Sequence, residues 1–262
     1  MTATLTTLDE PARPPGPGTQ RRWFVRLLTG LILVAVLVAV VVVILVSRAD
    51  TARHRVIAQL GDTTAASVEV ADGVTSVTVR SADLGSDLYR ISTPTGSGQV
   101  PAVSASATSS AGPAVVVSLR STAAGPNPGQ LDVLLSSRVT WRVRITGGAA
   151  EARLDLRSSA ISGVDLAGGV STVELWLPEP RGTVGVAETG GANRLALHAP
   201  VRVPVKVTVD GGAGTATLDG DAHTGVSAGT AYAPNGWDTV SDRYDVRLIG
   251  GVSTVDLDRY AA

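Results

Sequence analysis

The pattern of apolar and polar positions changes character near residue 48. Upstream, Leu27 to Val46 reads LLTGLILVAVLVAVVVVILV, an apolar run with no charge and no proline. At a helical rise of 1.5 Å per residue such a run spans roughly 30 Å, the thickness of a bilayer core. Its many β-branched residues would weaken a helix in water, but in lipid unpaired backbone groups cost far more. Downstream, apolar and polar residues alternate with the period of a half-buried strand. Val173, Leu175 and Leu177 fall on one face while Thr172, Glu174 and Trp176 fall on the other; Val205, Val207 and Val209 alternate with Lys206 and Thr208. The pattern predicts one transmembrane helix followed by an all-β domain.

The β region repeats. GGVSTV followed by an acid and a leucine occurs at Gly168–Leu175 and Gly250–Leu257, and looser copies start at Gly147, Gly190 and Gly211. Four residues before each Gly-Gly stands a valine: Val143, Val164, Val186, Val207 and Val246. Seven residues after the first glycine stands a leucine: Leu154, Leu175, Leu197, Leu218 and Leu257. Two positions before that leucine the residue is again apolar: Ala152, Val173, Leu195, Ala216 and Val255. Each copy therefore predicts a strand, a Gly-Gly corner and a second strand, with glycine chosen for its tolerance of positive φ. Pro178, Pro180, Pro200 and Pro204 punctuate the other connection, where no ladder hydrogen bond is needed from nitrogen.

A single copy cannot bury its apolar face, whereas stacked copies share a continuous core. The predicted fold is a stacked β-repeat, solenoid- or rack-like, with a β-sandwich of Gly-Gly hairpins as the alternative. The chain then divides into a disordered Pro-rich cytoplasmic tail (1–22), the transmembrane helix with its flanks (23–48) and a juxtamembrane linker (49–61). An irregular β region (62–142) precedes the β-repeat region (143–262), with copies near 143, 164, 186, 207 and 246. In the irregular part Gly73–Arg80, Ala114–Arg120 and Arg138–Ile145 alternate like strands, separated by Ser/Thr/Gly/Pro-rich stretches.

Charge and aromatic placement orient the anchor. Arg22, Trp23, Phe24, Arg26 and Arg48 occupy interfacial positions around the apolar run. Arg13, Arg21, Arg22 and Arg26 precede the run, against Arg48, Arg53 and Arg55 after it, a slight positive-inside bias. We therefore expect a single-pass plasma-membrane protein with a cytoplasmic N-terminus and an extracytoplasmic C-terminal domain. A cleaved signal peptide is the rival, because Ser47 and Ala49 resemble a small-residue cleavage pattern; the run is longer than such peptides use, and Arg48 interrupts the site.

Composition removes several chemistries. With no cysteine among 262 residues there is no disulfide framework, thiol nucleophile or Cys-ligated metal. Twenty-two Lys+Arg against 23 Asp+Glu leave no basic footprint for nucleic acid. Gly225-Val226-Ser227-Ala228-Gly229 matches a nucleophile elbow with Asp221 and His223 just upstream. The residues after it will not form the helix that the elbow requires, and no histidine follows the serine. Gly211–Asp219 resembles a calcium-binding nonapeptide, but Ala216 stands where the ligand aspartate belongs. His54, His198 and His223 lie far apart; His54 is expected at the membrane surface and His198 on the outer strand face. Asp256 and Asp258 are read as solubilising an edge or terminal strand. No catalytic residue, cofactor or metal site is predicted, and the protein is read as not an enzyme.

The longest interval between copies, Asp219 to Tyr244, carries Tyr232, Asn235 and Trp237 on an aromatic-poor chain. These three are the candidate partner contacts, with an end cap formed by Tyr232 and Trp237 as the competing reading.

The stretch GGVSTVELWLPEPRGTVGVAETGGANRLALHAPVRVPVKVTVDGGAGTATLDG, with YDVRLIGGVSTVDLDR near the C-terminus, resembles bacterial envelope β-repeat domains. These are the putative-adhesin family and the C-terminal rack domain of LiaF-type cell-envelope stress proteins. The arrangement behind one helix also resembles actinobacterial single-pass membrane proteins of unknown function. The resemblance covers about residues 140–260 and implies a fold and an envelope setting, with no catalytic residues to carry over. The LiaF-type proteins have several membrane helices where this chain has one apolar run. The functional expectation is a non-catalytic cell-envelope binding or scaffold module. Its partners would be the membrane and another envelope protein, itself or cell-wall polymer, and not nucleic acid. The alternatives are an accessory sensor of envelope stress and, more remotely, a serine hydrolase using Ser227.

Overall fold

Alternation of small aliphatic and polar residues makes nearly every regular element among the described residues a strand. The computed structural model describes residues 54–107, 112–122, 125–127 and 129–261. The predicted tail, transmembrane helix, interfacial anchors Arg22, Trp23, Phe24, Arg26 and Arg48, and the first part of the linker lie outside the described residues. Among the described residues no helix is long and apolar enough to cross a membrane.

The first strands are β1 (Arg55–Gln59), β2 (Ala65–Val70), β3 (Val74–Ala82), β4 (Asp87–Ser92), β5 (Gln99–Ala107), β6 (Pro113–Ser121) and β7 (Gln130–Ser136). Then come β8 (Thr140–Ile145), β9 (Ala149–Asp155), β10 (Ile161–Leu166), β11 (Val170–Trp176), β12 (Thr183–Glu188) and β13 (Ala192–Pro200). The chain continues with β14 (Val205–Val209), β15 (Ala213–Leu218), β16 (Asp221–Val226) and β17 (Thr230–Tyr232). A single 3-10 turn (Trp237–Thr239), β18 (Arg243–Leu248) and β19 (Val252–Tyr260) complete it.

Two sheets result. One runs β1-β4-β7-β3-β9-β11-β13-β19-β15-β16 and the other β17-β14-β18-β12-β10-β8-β2-β6-β5. The strands on either side of each Gly-Gly lie in different sheets, so the corners join layers and are not hairpin turns. The stacked-repeat prediction holds and the sandwich of hairpins does not. Each rung is a strand of the nine-stranded sheet, a corner, and a strand of the ten-stranded sheet. Along the stack the rungs are β6/β7, β2/β3, β8/β9, β10/β11, β12/β13, β18/β19 and β14/β15, paired in parallel throughout.

The predicted columns are ladders. Val115, Val68, Val143, Val164, Val186, Val246 and Val207 pair in succession across the nine-stranded sheet. Val133, Val79, Leu154, Leu175, Leu197, Leu257 and Leu218 do so across the other. Both ladders face inward and belong to one buried cluster. Two rungs therefore come from residues 62–142, which read as irregular in sequence. Their corners lack Gly-Gly: Asp72-Gly73 turns one, and the other is a longer loop after Ser121.

Glycine is needed at these corners mainly for room. A Cβ on Gly168 would collide with the Gly147 backbone, one on Gly147 with Asp72, and one on Gly190 with Gly168. Of the ten residues in the five Gly-Gly pairs only Gly191 and Gly212 have positive φ, so close stacking, not backbone conformation, fixes the first glycine of each pair. Asp72 is tolerated because no Gly-Gly corner stacks on its side; its Oδ2 accepts the Leu119 N–H at 2.7 Å.

At both ends the chain doubles back. β4 and β5 close one end antiparallel, with β1 beyond β4, and β16 and β17 close the other. The last rung in sequence, β18/β19, is inserted between β12/β13 and β14/β15. Asp256 and Asp258 consequently sit on a strand inside the sheet, not at an edge. They point outward, where Arg194 and His198 engage them at 2.8 and 2.6 Å.

Candidate binding surface

The residues singled out in the long interval take three different places. Trp237 is buried; its indole N–H donates to the Tyr244 carbonyl at 3.0 Å. Its ring centroid lies 4.1 Å from the Arg243 guanidinium and 4.6 Å from the Lys206 ammonium. Tyr232 is half-buried against the core and its ring lies 4.5 Å from that of His223, joining the terminal strands of the two sheets. Asn235 is exposed. Ser227 sits in the turn between β16 and β17, a strand-turn-strand setting, and its carbonyl accepts the Thr230 hydroxyl at 2.7 Å. Asp219, in the nonapeptide-like stretch, is held by the Arg259 guanidinium at 2.6 and 2.8 Å. His54 is buried, within 2.8 Å of the Thr93 hydroxyl, and so is not exposed to headgroups or solvent as expected.

The outward face of the ten-stranded sheet carries a denser cluster. Parallel register sets Trp176 beside His198 and His198 beside Asp258. The two rings stack at 4.5 Å and 19°, and His198 Nδ1 lies 2.6 Å from Asp258. Arg153 and Arg157 each lie 5.8 Å from the Trp176 ring, and Arg157 lies 5.7 Å from the Tyr260 ring. Arg157 thus makes cation–π contacts at the outer limit of their range with two aromatic rings.

This cluster leads into a cleft of about 960 Å³ along the edge opposite the Gly-Gly corners. Four stretches line it: Ser137–Thr140, Asp155–Ala160 without its buried Leu156, Pro178–Arg181, and the C-terminal Tyr260 with Asp242 nearby. Inside it Arg157 forks onto Asp155, donating at 2.8 and 2.6 Å. That bond holds the Asp155 carboxyl below its ordinary range and raises the guanidinium, while burial raises the Tyr260 hydroxyl. The Tyr260 hydroxyl donates to the Leu177 carbonyl at 2.6 Å, which fixes the ring. Pro178 and Pro180 are buried, so the segment between them is locked and Glu179 and Arg181 are displayed to solvent. Asp242 accepts the Gly182 N–H at 2.6 Å.

The cleft as a whole does not stand out in the sequence, because its residues lie in turns and at strand ends scattered from 137 to 261. The Pro-Glu-Pro-Arg run and the placement of Trp176 and Tyr260 are the only local signals.

A second anomaly lies in the core. The ladder Val117, Val70, Ile145, Leu166, Glu188, Leu248 and Val209 is apolar except at Glu188. Glu188 is buried; its Oε1 accepts the Gly191 N–H, and its Oε2 has no hydrogen-bond partner. Burial raises its pKa, partly offset by the N–H groups of Gly191, Gly250 and Gly190. The signal was present in the sequence as the one acid in an apolar column.

No family model matches the chain, and no curated protein matches it by sequence. Among solved structures it is similar to a Clostridium sporogenes ATCC 15579 protein described as a "putative cell adhesion protein". The likeness has a TM-score of 0.60 at 12% identity and covers 79% of this chain and 98% of the other. It shows that the two share a fold, an all-β architecture of the kind expected from the repeat.

Proposed function

We propose that this chain is a non-catalytic, single-pass cell-envelope protein whose extracytoplasmic β-repeat domain is a binding module. The observation that carries this reading is the cleft. Residues distant in sequence converge there, and Arg157 forks onto Asp155 with the Trp176 and Tyr260 rings within 6 Å. Such a fork reduces the ordering cost when a ligand is engaged. The apolar run Leu27–Val46 would supply the anchor, and the fold shared with a protein described in terms of cell adhesion supports a binding role.

The test is chemical crosslinking in intact cells followed by capture of the full chain. The reading predicts recovery of a specific envelope protein or wall polymer, lost when Arg157 and Arg181 are both replaced by alanine. Recovery of nothing beyond an untagged control, or of the same material with that variant, would count against it.

A further inference from the structure

We propose that the turn-edge cleft holds a neutral polyhydroxylated chain, a glycan, laid along the stack; this rests on the binding-module reading above. Rungs succeed one another at about 4.8 Å, so four lining stretches make a track on the order of 15 Å long, suited to an extended polymer.

The lining decides among ligand classes. Arg138, Arg157 and Arg181 bring positive charge, and Asp155, Glu179 and Asp242 bring as many negative charges. A polyanion would meet the three carboxylates and a polycation the three guanidiniums, so either gains on one side and loses on the other. A hydroxyl both donates and accepts, and so can use both sets at once. The walls are turns instead of an open strand edge, so an extended peptide finds no row of free N–H and C=O groups to join. The side chains suit sugars in detail. The Arg157–Asp155 fork is a flat pair of donors and acceptors, exposed at 46% and 30% of its two side chains. Its guanidinium lies 5.8 Å from the Trp176 ring and 5.7 Å from the Tyr260 ring, flat surfaces on which a sugar face can pack. Exposed Ser158 adds a hydroxyl, and Glu179 and Arg181 carry no ion pair or hydrogen bond of their own.

The direct experiment passes the full chain in detergent over immobilised mannan, galactan and dextran, with polygalacturonate as the anionic comparison. The expected result is retention on a neutral polymer that persists at high salt, since a neutral ligand offers no charge to screen. Arg157→Ala and Glu179→Ala should each weaken retention by about tenfold, the scale of a binding hot spot. Arg194→Ala, outside the cleft, should leave it unchanged. Arg157→Ala also breaks the fork onto Asp155, so Ser158→Trp serves as a second variant. It obstructs the cleft from an exposed turn position and should abolish retention while the unfolding temperature stays near that of the parent.

Retention on none of the neutral polymers, retention on polygalacturonate alone, or retention indifferent to these variants would overturn the glycan proposal. If capture in intact cells still recovers a specific partner in that case, the binding-module reading stands without it.

Discussion

A methyl group on Gly168 has nowhere to go, because the Gly147 backbone already fills that space. This steric rule makes the Gly-Gly signature visible in sequence, and it explains where the signature fails. Asp72 stands at the equivalent place in β2/β3, so that rung is hidden although Val68, Val77 and Val79 keep all three columns. Glu188 breaks the opposite rule, placing an acid between Leu166 and Leu248. Burial favours its neutral form, so its folded pKa lies above the unfolded one. The folded state then binds more protons over that window, and stability falls as pH rises through it. Glu188→Gln keeps an acceptor for the Gly191 N–H and removes the titration. Thermal unfolding measured across pH should show the variant gaining on the parent from acid to neutral pH. An equal difference at every pH would rule out titration of Glu188 as its source.

Among the elements, strands and columns were legible but their order was not. Every rung presents aliphatic residues in the same three inward columns, so no rung's sequence marks its neighbour. Order is decided by how far the chain travels between rungs. After β13 the chain skips one position, builds β14/β15 and its antiparallel closure, and returns to fill the gap with β18/β19. The 39-residue interval between the last two copies is therefore the path around the end of the stack. β14 and β15 pair only with the returning rung and with the closing strands β17 and β16. Truncation after Val240 should leave them without a parallel partner and expose the edges of β12 and β13, which invites edge-to-edge association. Limited proteolysis should then cut within 201–232 while 54–200 resists, with a loss of monomer. A truncated chain as protease-resistant as the parent would refute the dependence.

For the whole molecule, near-neutral composition conceals a division of labour. Residues 50–262 hold 17 basic and 21 acidic side chains, while the apolar run before them carries none. The fold followed from periodicity because its core is periodic. The cleft did not, because Arg138, Arg157, Arg181 and Tyr260 meet only once the turns are stacked. We propose that this stack is a binding surface displayed outside the membrane on one anchor. The absence of native cysteine allows a direct measurement: single cysteines at Thr4's neighbour Ala3 in the tail and at Ser158 in the cleft, treated with a membrane-impermeant maleimide on intact cells. Labelling is expected at Ser158→Cys in intact cells and at Ala3→Cys only after permeabilisation. Protection of Ser158→Cys until the membrane is opened would contradict it.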